Sequence, residues 1–515
     1  MRGVMRAIIL SVFLAAVLGG LILAAGQPKY GGVLKVGLSV DPPDLNPFLQ
    51  SGGAAERVKT AVYDSLLRYK MNGEVVPALA ESWEILDDNK TYIFHLRPNV
   101  HFHNGELLTA EDVEFSLRMI LDPTTGAFLH SDLSASVEEI HAIDASTVRI
   151  TLKEPNAAFL GLLGMVHASI VSKDWVEAGH DLNHEMMGTG AFKFVSWEPG
   201  VRLVLRKNED YWIPGLPYLD GITFIPIKDE DVRVNALIAH EVDFIDFPPW
   251  KAWDAIEATP GLTVDKTANF AMVLFFNPNA GALGDPRVRQ AIKYAIDDRV
   301  IADVVFFGHA QPSGGGLLPP GHWATSEDIQ SFFSYNPDKS RQLLAEAGYP
   351  NGFSMKLLAT STYGMHRMTA EVVQDLLKQV GIEVVLELEE WGTTIERRAK
   401  GDYEAMVYAC GLTRPDPDFY SSYVGSAAGF YARPVGFRDP IMDELLELGR
   451  VTLDRALRKR IYHVFELRFL EQCPIAVLAR RESGFAYSTD VKDFLNFALG
   501  YFSCVKPWDG VWLDR

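Results

Sequence analysis

A strand–helix–strand pattern begins at residue 221. GITFIPI (221–227) and EVDFIDF (241–247) are short apolar runs typical of strands, and EDVRVNALIAH (230–240) between them is typical of a helix. Neither join contains a long loop. The sequence therefore predicts a β-α-β unit here.

A second set of such elements covers residues 353–409. Its strands are FSMKLLAT (353–360), IEVVLEL (382–388) and DYEAMVYA (402–409). Its helices are HRMTAEVVQDLLKQV (366–380), which Gly381 ends, and TTIERRAKG, which ends at Gly401. Together the two sets predict an α/β fold with two lobes, each built on a mostly parallel sheet.

Local polar signals mark further elements. Residues 32–40 alternate as a strand that the turn-rich DPPDLNP (41–47) ends. Thr109 precedes AEDVEFSLRMIL and Asp112 follows three residues later, which predicts a capping box. QPSGGGLLPPG (311–321) has helical patterns on both sides, so we expect a surface loop inside one lobe.

The first 26 residues have the pattern of a secretory signal. Arg2 and Arg6 precede an apolar run, and Ala24-Ala25-Gly26 provide the small residues of a cleavage site. We expect cleavage after Ala25 or Gly26. An uncleaved N-terminal anchor is the alternative, since the stretch is nearly long enough to span a bilayer. The sequence thus predicts a periplasmic protein.

Composition and the absence of catalytic motifs reduce the number of function classes that the sequence allows. The 515 residues suffice for about three domains. With 67 acidic and 48 basic side chains the formal charge is −19, so nucleic acid is not an expected partner. Cys410, Cys473 and Cys504 lack metal-ligand spacing, and their pairing stays open. No ATPase, zinc-protease or serine-hydrolase motif occurs, so we expect neither an enzyme nor a cofactor.

A candidate metal site occurs in residues 101–113, HFHNGELLTAEDV. His101 and His103 stand two apart, and carboxylates follow them. No third ligand stands at a set spacing, however, and a pair of histidines alone rarely holds a metal ion. We therefore expect no metal site.

Ligand contacts are expected in the loops after the strands, because ligands of open α/β sheets bind outside the carboxyl ends of the strands. These loops are TSTYGMHR, EEWGT, CGLTRPDPDFY, IKDED and PPW. Arg367 lies in the first turn of a helix, which favours an anion, and Arg414 lies beside Asp416. Trp391 and Trp250 offer flat apolar walls. The alternative is structural: Arg414 paired with Asp416, Arg367 solvated, both tryptophans in the core.

A series of segments occurs in the order typical of one protein family. It includes LAESWEILDDNKTYIFHLRPNVHFHNGELLTAEDVEFSL (79–117), GTGAFKFVSWEPG, ALIAHEVDFID, DPRVRQAIKYAID, KSRQLLAEAGYPNGF, EWGTTIERRAKGDYEAMVYACG and DPDFY. In these segments the chain resembles the family 5 extracellular solute-binding proteins, the peptide/nickel class that serves ABC transporters. The resemblance covers nearly all of the chain after the signal.

The resemblance implies a type II periplasmic-binding-protein-like fold, with two α/β lobes around a cleft plus an inserted smaller domain. After the signal at 1–26, domain I would comprise residues 27–65, 187–269 and 483–515. Domain II would be the insertion 66–186, and domain III would cover 270–482. The ligand would be held between domains I and III as the lobes close.

The resemblance also implies ligand contacts. Peptide binders of the family hold the ligand's ammonium with an aspartate three residues before an Asp-Pro step, and here that position is Thr413. A threonine hydroxyl cannot supply a charge-assisted bond to an ammonium, so Arg414 indicates an anionic group instead. Arg367 falls near the arginine that binds the peptide carboxylate in dipeptide binders. The expected contacts are Thr413, Arg414, Asp416, Trp391, Arg367, Trp250 and Asn46.

The sequence therefore predicts a periplasmic receptor of an ABC importer. It would be a monomer that binds a small polar or carboxylate-bearing solute, peptide-like or a conjugate, by lobe closure. It would deliver the solute to permease and ATPase subunits at the membrane. A receptor for nickel or haem-type metal complexes is the alternative within this class, and a periplasmic hydrolase or assembly factor is the alternative outside it.

Overall fold

The computed structural model describes residues 27–86, 88–412, 414–428, 430–496 and 505–515, with only the backbone described at 268 and 269. The predicted signal, Thr413 and Cys504 lie outside these residues. Cys410 and Cys473 are buried free thiols. In the part of the chain that is described, no helix is long and apolar enough to cross a membrane.

A large sheet of eleven strands contains both predicted lobes. In sheet order its strands are Ile382–Glu389, Phe353–Thr360, Ala405–Cys410, Leu262–Phe276, Ile475–Ser488, Phe244–Asp246, Val33–Leu38, Gly221–Pro226, Arg202–Lys207 and Phe192–Glu198, and Ala310–Pro312 pairs with Ile475–Ser488. The two long strands in the middle of this order are antiparallel to each other. They join the two lobes into one hydrogen-bonded sheet.

Both predicted strand–helix–strand sets are confirmed. Gly221–Pro226 and Phe244–Asp246 are each parallel to Val33–Leu38, which lies between them. The helix Glu230–Ile238 connects them. At the other end of the sheet, Phe353–Thr360 has a parallel neighbour on each side. The parallel pairing predicted for each lobe is therefore present, with antiparallel pairing between the lobes.

A separate antiparallel sheet, here called the small sheet, has four strands. In order they are Ala80–Ile85, Thr91–Leu96, Thr147–Leu152 and Val137–Asp144. All four fall inside the expected insertion at 66–186, although the exact domain boundaries stay predictions. Two further strand pairs are Leu67–Tyr69 with Val75–Pro77 and Val491–Lys492 with Trp512–Leu513.

Helices cover the sheets. Among the described residues, those of eight residues or more are Gly53–Val62, Ala110–Leu121, Glu230–Ile238, Pro286–Ala295, Pro337–Glu346, Gly364–Lys378, Trp391–Lys400, Pro440–Val451 and Arg455–Gln472. The capping box at Thr109 is confirmed, since its backbone N–H donates to Asp112 Oδ2 at 2.9 Å. The predicted helix end at Gly401 is also confirmed, because Gly401 is the C-cap and has a φ of 69°. The other helix ends earlier than predicted, at Lys378 with Gln379 as its C-cap, and Gly381, with a φ of 87°, lies in the turn that follows.

The glycine-rich segment 311–321 differs from its prediction as a surface loop. Leu317 and Leu318 are buried, with 4% and 0% of their surface exposed. The Arg480 guanidinium donates to the carbonyl oxygens of Gly316 and Leu318 at 2.5 and 2.7 Å. These bonds satisfy backbone groups that burial removes from water, which is why the segment can lie inside the protein.

Candidate functional site

A cavity of about 560 Å³ lies among three parts of the chain. Residues 43–57 of one lobe, 126–167 beside the small sheet and 391–430 of the other lobe contribute most of its walls. This volume is in the range of small-molecule sites. Of the five predicted loops, EEWGT reaches the cavity through Trp391 and Gly392, and CGLTRPDPDFY through Gly411.

The helix Gly53–Val62 brings charge to the cavity, although its residues from Ala54 onward are all buried. Arg57 lines the cavity and lies 3.3 Å from the Asp246 carboxylate, between the rings of Phe247 and Phe485. Lys59 pairs with Asp44 at 3.0 Å in the same way. Each cation of this helix thus has an aspartate that balances its charge.

The opposite wall is aromatic and carries one arginine. Trp391 begins the helix Trp391–Lys400 and stacks on Tyr408, with ring centres 5.9 Å apart. Two turns later, the Arg398 guanidinium lies 3.8 Å from the centre of the Phe430 ring. Its Nε and Nη1 are buried and have no hydrogen-bond partner among the described residues. Arg398 therefore brings unbalanced positive charge to the cavity wall.

A second arginine adds to this positive charge from behind the wall. Arg481 is 2% exposed and donates to Ser483 Oγ at 3.2 Å, and Ser483 lines the cavity. Its guanidinium lies over the rings of Trp250 and Phe270, at 5.3 and 5.0 Å. Burial lowers the pKa of Arg481 to about 9. It still carries its proton at neutral pH, in a low-dielectric environment.

Glu56 and His167 form a polar pair at the wall beside the small sheet. Both line the cavity, with 9% and 1% of their surface exposed, and Glu56 Oε1 lies 3.7 Å from His167 Nε2. Burial raises the pKa of Glu56, against the charges of Lys59 and Arg57. Burial also lowers the pKa of His167 to about 3. Burial therefore shifts both groups towards their uncharged forms.

Arg414 is placed differently from its expected position in the ligand site. It is fully buried, does not line the cavity, and donates to Asp132 Oδ1 at 3.2 Å and Asp418 Oδ2 at 3.0 Å. Burial alone would lower the pKa of Arg414, but these carboxylates outweigh it and the pKa is raised. The Arg414 guanidinium is thus paired with protein carboxylates, and it links the helix His130–Ser136 to the 414–422 segment.

The other polar candidates also have protein partners. Asp416 pairs with Arg458 at 2.6 Å, and not with Arg414. Arg367 has half of its side chain exposed and faces Glu371 at 3.9 Å. Asn46 donates to Asn183 Oδ1 at 3.4 Å and accepts from the Phe48 backbone at 3.1 Å. None of these side chains lines the cavity.

Of the two tryptophans expected to form apolar walls, one lines the cavity and the other packs behind it. Trp391 is on the cavity wall, as predicted. Trp250 packs over Arg481 and donates through its indole to the Glu482 carbonyl at 3.0 Å, so it supports the wall without lining it. Thr413 lies outside the described residues, next in sequence to two that are described, Leu412 and Arg414. A ligand role for the seven expected residues stays a prediction.

The histidines of the HFHNGELLTAEDV stretch are structural in this arrangement. His103 is bonded through Nε2 to the Gly190 carbonyl at 3.0 Å, and burial lowers its pKa to about 4. His101 forms an isolated bridge with Leu107. Among the described residues no cluster of three or more His, Cys, Asp or Glu side chains is placed to hold a metal ion.

None of the charged side chains that line the cavity was among the contacts expected from the sequence. Glu56 and Arg57 lie in the stretch after the strand Val33–Leu38, and the rule on carboxyl ends applies to that strand as well. Arg398 was part of a predicted helix, where nothing local shows which arginine is balanced. His167 had no usable signal, because the position of its segment beside the small sheet depends on long-range packing.

The two lobes are joined by the long strands Leu262–Phe276 and Ile475–Ser488, called the crossing strands below. The cavity between the lobes has aromatic walls and few charges, and this arrangement defines the class of the protein. It is a solute-binding protein with the type II periplasmic-binding-protein fold. The chain belongs to the bacterial extracellular solute-binding proteins, family 5, whose model, described as "family 5 Middle", matches residues 74–432. It is the substrate-binding component of an ABC importer; members of this family are periplasmic binding proteins that work with ABC permease components.

Relatives and solved structures agree with this assignment. The chain is 28% identical to di/tripeptide-binding protein 1 of Pseudomonas aeruginosa, over 92% of this chain and 94% of that protein. It is 30% identical to heme-binding protein A of Haemophilus influenzae, over 89% of each. The solved structure of AgaA from A. tumefaciens R10 with agropinic acid has a TM-score of 0.89 at 34% identity, covering 94% of this chain and 99% of AgaA.

Proposed function

We propose that the protein captures a small carboxylate-bearing solute in the periplasm and passes it to an ABC permease with its ATPase subunits. Arg398 carries this proposal, because its buried Nε and Nη1 at the cavity wall have no acceptor in the part of the chain that the structure describes. A ligand carboxylate would accept charge-assisted hydrogen bonds from them. The protein acts as a monomer and selects by affinity, without a covalent step and without enzyme activity.

The proposal assigns the ligand's charge to Arg398, with Arg481 adding positive potential. Arg414 and Arg367, which the sequence favoured, have protein carboxylates facing them. Trp391 and Tyr408 would supply the flat apolar surface beside the charge. Thr413 remains a candidate for a neutral contact, since nearby Gly411 lines the cavity.

The relatives support this class of ligand in two ways. The relative solved with agropinic acid supports an acidic solute, and the di/tripeptide-binding relative supports a peptide-like one. The heme-binding relative keeps a metal complex as the alternative. Native mass spectrometry of the protein with its co-purified ligand separates these classes, because a haem or nickel complex has a distinctive mass and isotope pattern.

Ligand titrations of matched variants test the role of Arg398. The solutes are agropinic acid, the dipeptide Ala-Leu and the C-terminal amide of that dipeptide. Arg398→Gln should weaken binding of whichever acid the wild type binds by about 10- to 100-fold, the loss of ~1.5–3 kcal/mol expected for hydrogen bonds to a charged group. Arg397→Gln is the control, because this neighbour pairs with Glu387 at 2.7 Å and does not line the cavity.

Two results would overturn the proposal. One is tight binding of the dipeptide amide and the dipeptide acid alike, since a carboxylate would then contribute nothing. The other is an Arg398→Gln variant that binds the acid as the wild type does. Arg397→Gln should bind like the wild type in either case, which shows that a loss at Arg398 is specific to the cavity.

A further inference from the structure

The Glu56–His167 pair includes buried polar atoms that have no partner among the described residues. Both ring nitrogens of His167 are buried and make no hydrogen bond with the described residues. Glu56 lies 3.7 Å away, beyond hydrogen-bond distance. The His167 ring is held in place by Phe128, whose ring centre is 4.7 Å away. A buried polar group without a partner is destabilising, so its retention at a cavity wall indicates a ligand group.

The geometry of the pair fits one bridging oxygen. An atom about 2.8 Å from both Glu56 Oε1 and His167 Nε2 spans their 3.7 Å separation without strain. A neutral imidazole donates from one nitrogen and accepts at the other, and a carboxyl group accepts. A ligand hydroxyl satisfies both at once, because it accepts from the imidazole N–H and donates to the carboxyl oxygen.

The surrounding charges favour a hydroxyl over an ammonium. Arg57 and Lys59 lie on the same helix as Glu56, and both act on the Glu56 carboxyl. Burial raises the pKa of Glu56 and lowers that of His167, which shifts both groups towards their uncharged forms and weakens the site for a cationic group. A second carboxylate is disfavoured because the neighbouring cations, Arg57 and Lys59, are already paired with Asp246 and Asp44.

We propose that Glu56 and His167 form a second subsite, which holds a hydroxyl group of the same solute whose carboxylate Arg398 binds. This inference rests on the proposed function, because it describes another part of that ligand. The substrate class becomes a carboxylate joined to a hydroxyl-bearing chain or ring.

Two matched probes test the subsite separately from the carboxylate site. N-(1-deoxyglucityl)glutamate carries a polyol chain, and N-hexylglutamate carries an alkyl chain of the same length. We expect the wild type to bind the polyol probe at least about 10-fold more tightly, the effect of two neutral hydrogen bonds. His167→Phe and Glu56→Met should remove this preference and change N-hexylglutamate binding by less than about 2-fold. His180→Phe is the control, because His180 is stacked on Trp175 outside the cavity.

The outcomes separate the two proposals. Equal binding of both probes to the wild type, or a preference that survives in both variants, overturns the hydroxyl subsite and leaves the carboxylate site intact. If N-hexylglutamate binds without any dependence on Arg398, the carboxylate site fails. Binding of neither probe overturns both. If a variant does not fold, as thermal melting would show, the comparison of the two probes on the wild type decides the question alone.

Discussion

Replacement of Arg414 by methionine tests how the structure uses this buried arginine. The guanidinium donates to Asp132, to the Asp418 carboxylate and to the Asp418 carbonyl at distances from 2.8 to 3.4 Å. Removing one partner of a buried ion pair costs about 3–5 kcal/mol, because the other charge is left unbalanced. Arg450 also contacts Asp418, at 3.3 Å, and supplies part of the lost compensation. We therefore expect Arg414→Met to lower the free energy of unfolding by ~3 kcal/mol.

The loss should depend on pH with a definite sign. Burial raises the pKa of Asp418 above its usual 3.8, while Arg450 and Arg414 act in the opposite direction. Without Arg414 that pKa rises further. The folded variant is then penalised only where Asp418 is ionised, so the difference from the wild type is largest near pH 7 and shrinks as the pH falls towards 4.

Urea unfolding followed by far-UV circular dichroism measures this effect, with Arg367→Met as the control. Half of the Arg367 side chain is exposed and its nearest carboxylate is 3.9 Å away, so its loss should change stability by no more than ~0.5 kcal/mol. A loss below about 1 kcal/mol for Arg414→Met would refute the reasoning. So would an Arg414→Met protein of normal stability that no longer binds ligand, which would return Arg414 to the binding site.

Two further predictions concern stability. Gly190→Ala should destabilise by ~1–3 kcal/mol in the same urea assay, because a Cβ there would lie 2.6 Å from the Val62 carbonyl, whereas Gly510→Ala, with open space around it, should change little. A loss no larger at Gly190 than at Gly510 would contradict this. Burial raises the pKa of Glu466 to about 8, so the folded state holds a proton that the unfolded chain releases near pH 4.5, and wild-type stability should fall as pH rises between these values. Glu466→Gln should remove this slope, giving a gain of ~2–4 kcal/mol at pH 9, and an unchanged slope would show that Glu466 is not its source.

Local elements were predictable because their signals are local. The capping box at Thr109 and the helix end at Gly401 follow from neighbouring residues alone. The crossing strands were not predicted, since Leu262–Phe276 and Ile475–Ser488 pair across roughly 200 residues of chain. The 311–321 segment was misplaced for the same reason: Arg480, which bonds its carbonyls, is more than 150 residues away.

The charge of the ligand could not be read from the loops because an arginine's availability depends on distant partners. Arg414 bonds to Asp132, which is 282 residues earlier in the chain. Asp416, only two residues after Arg414, pairs instead with Arg458. Among the described residues, Arg398 Nε and Nη1 have no acceptor, although the adjacent Arg397 pairs with Glu387 and Asp402. In a chain of net charge −19, a cavity therefore becomes positive only where the fold leaves a cation without a carboxylate. The expected ligand charge is opposite to the protein charge that is left after ion pairs within the protein have been assigned. In the described part of the chain that unpaired positive charge lies at Arg398 and Arg481, so a negative ligand group is expected.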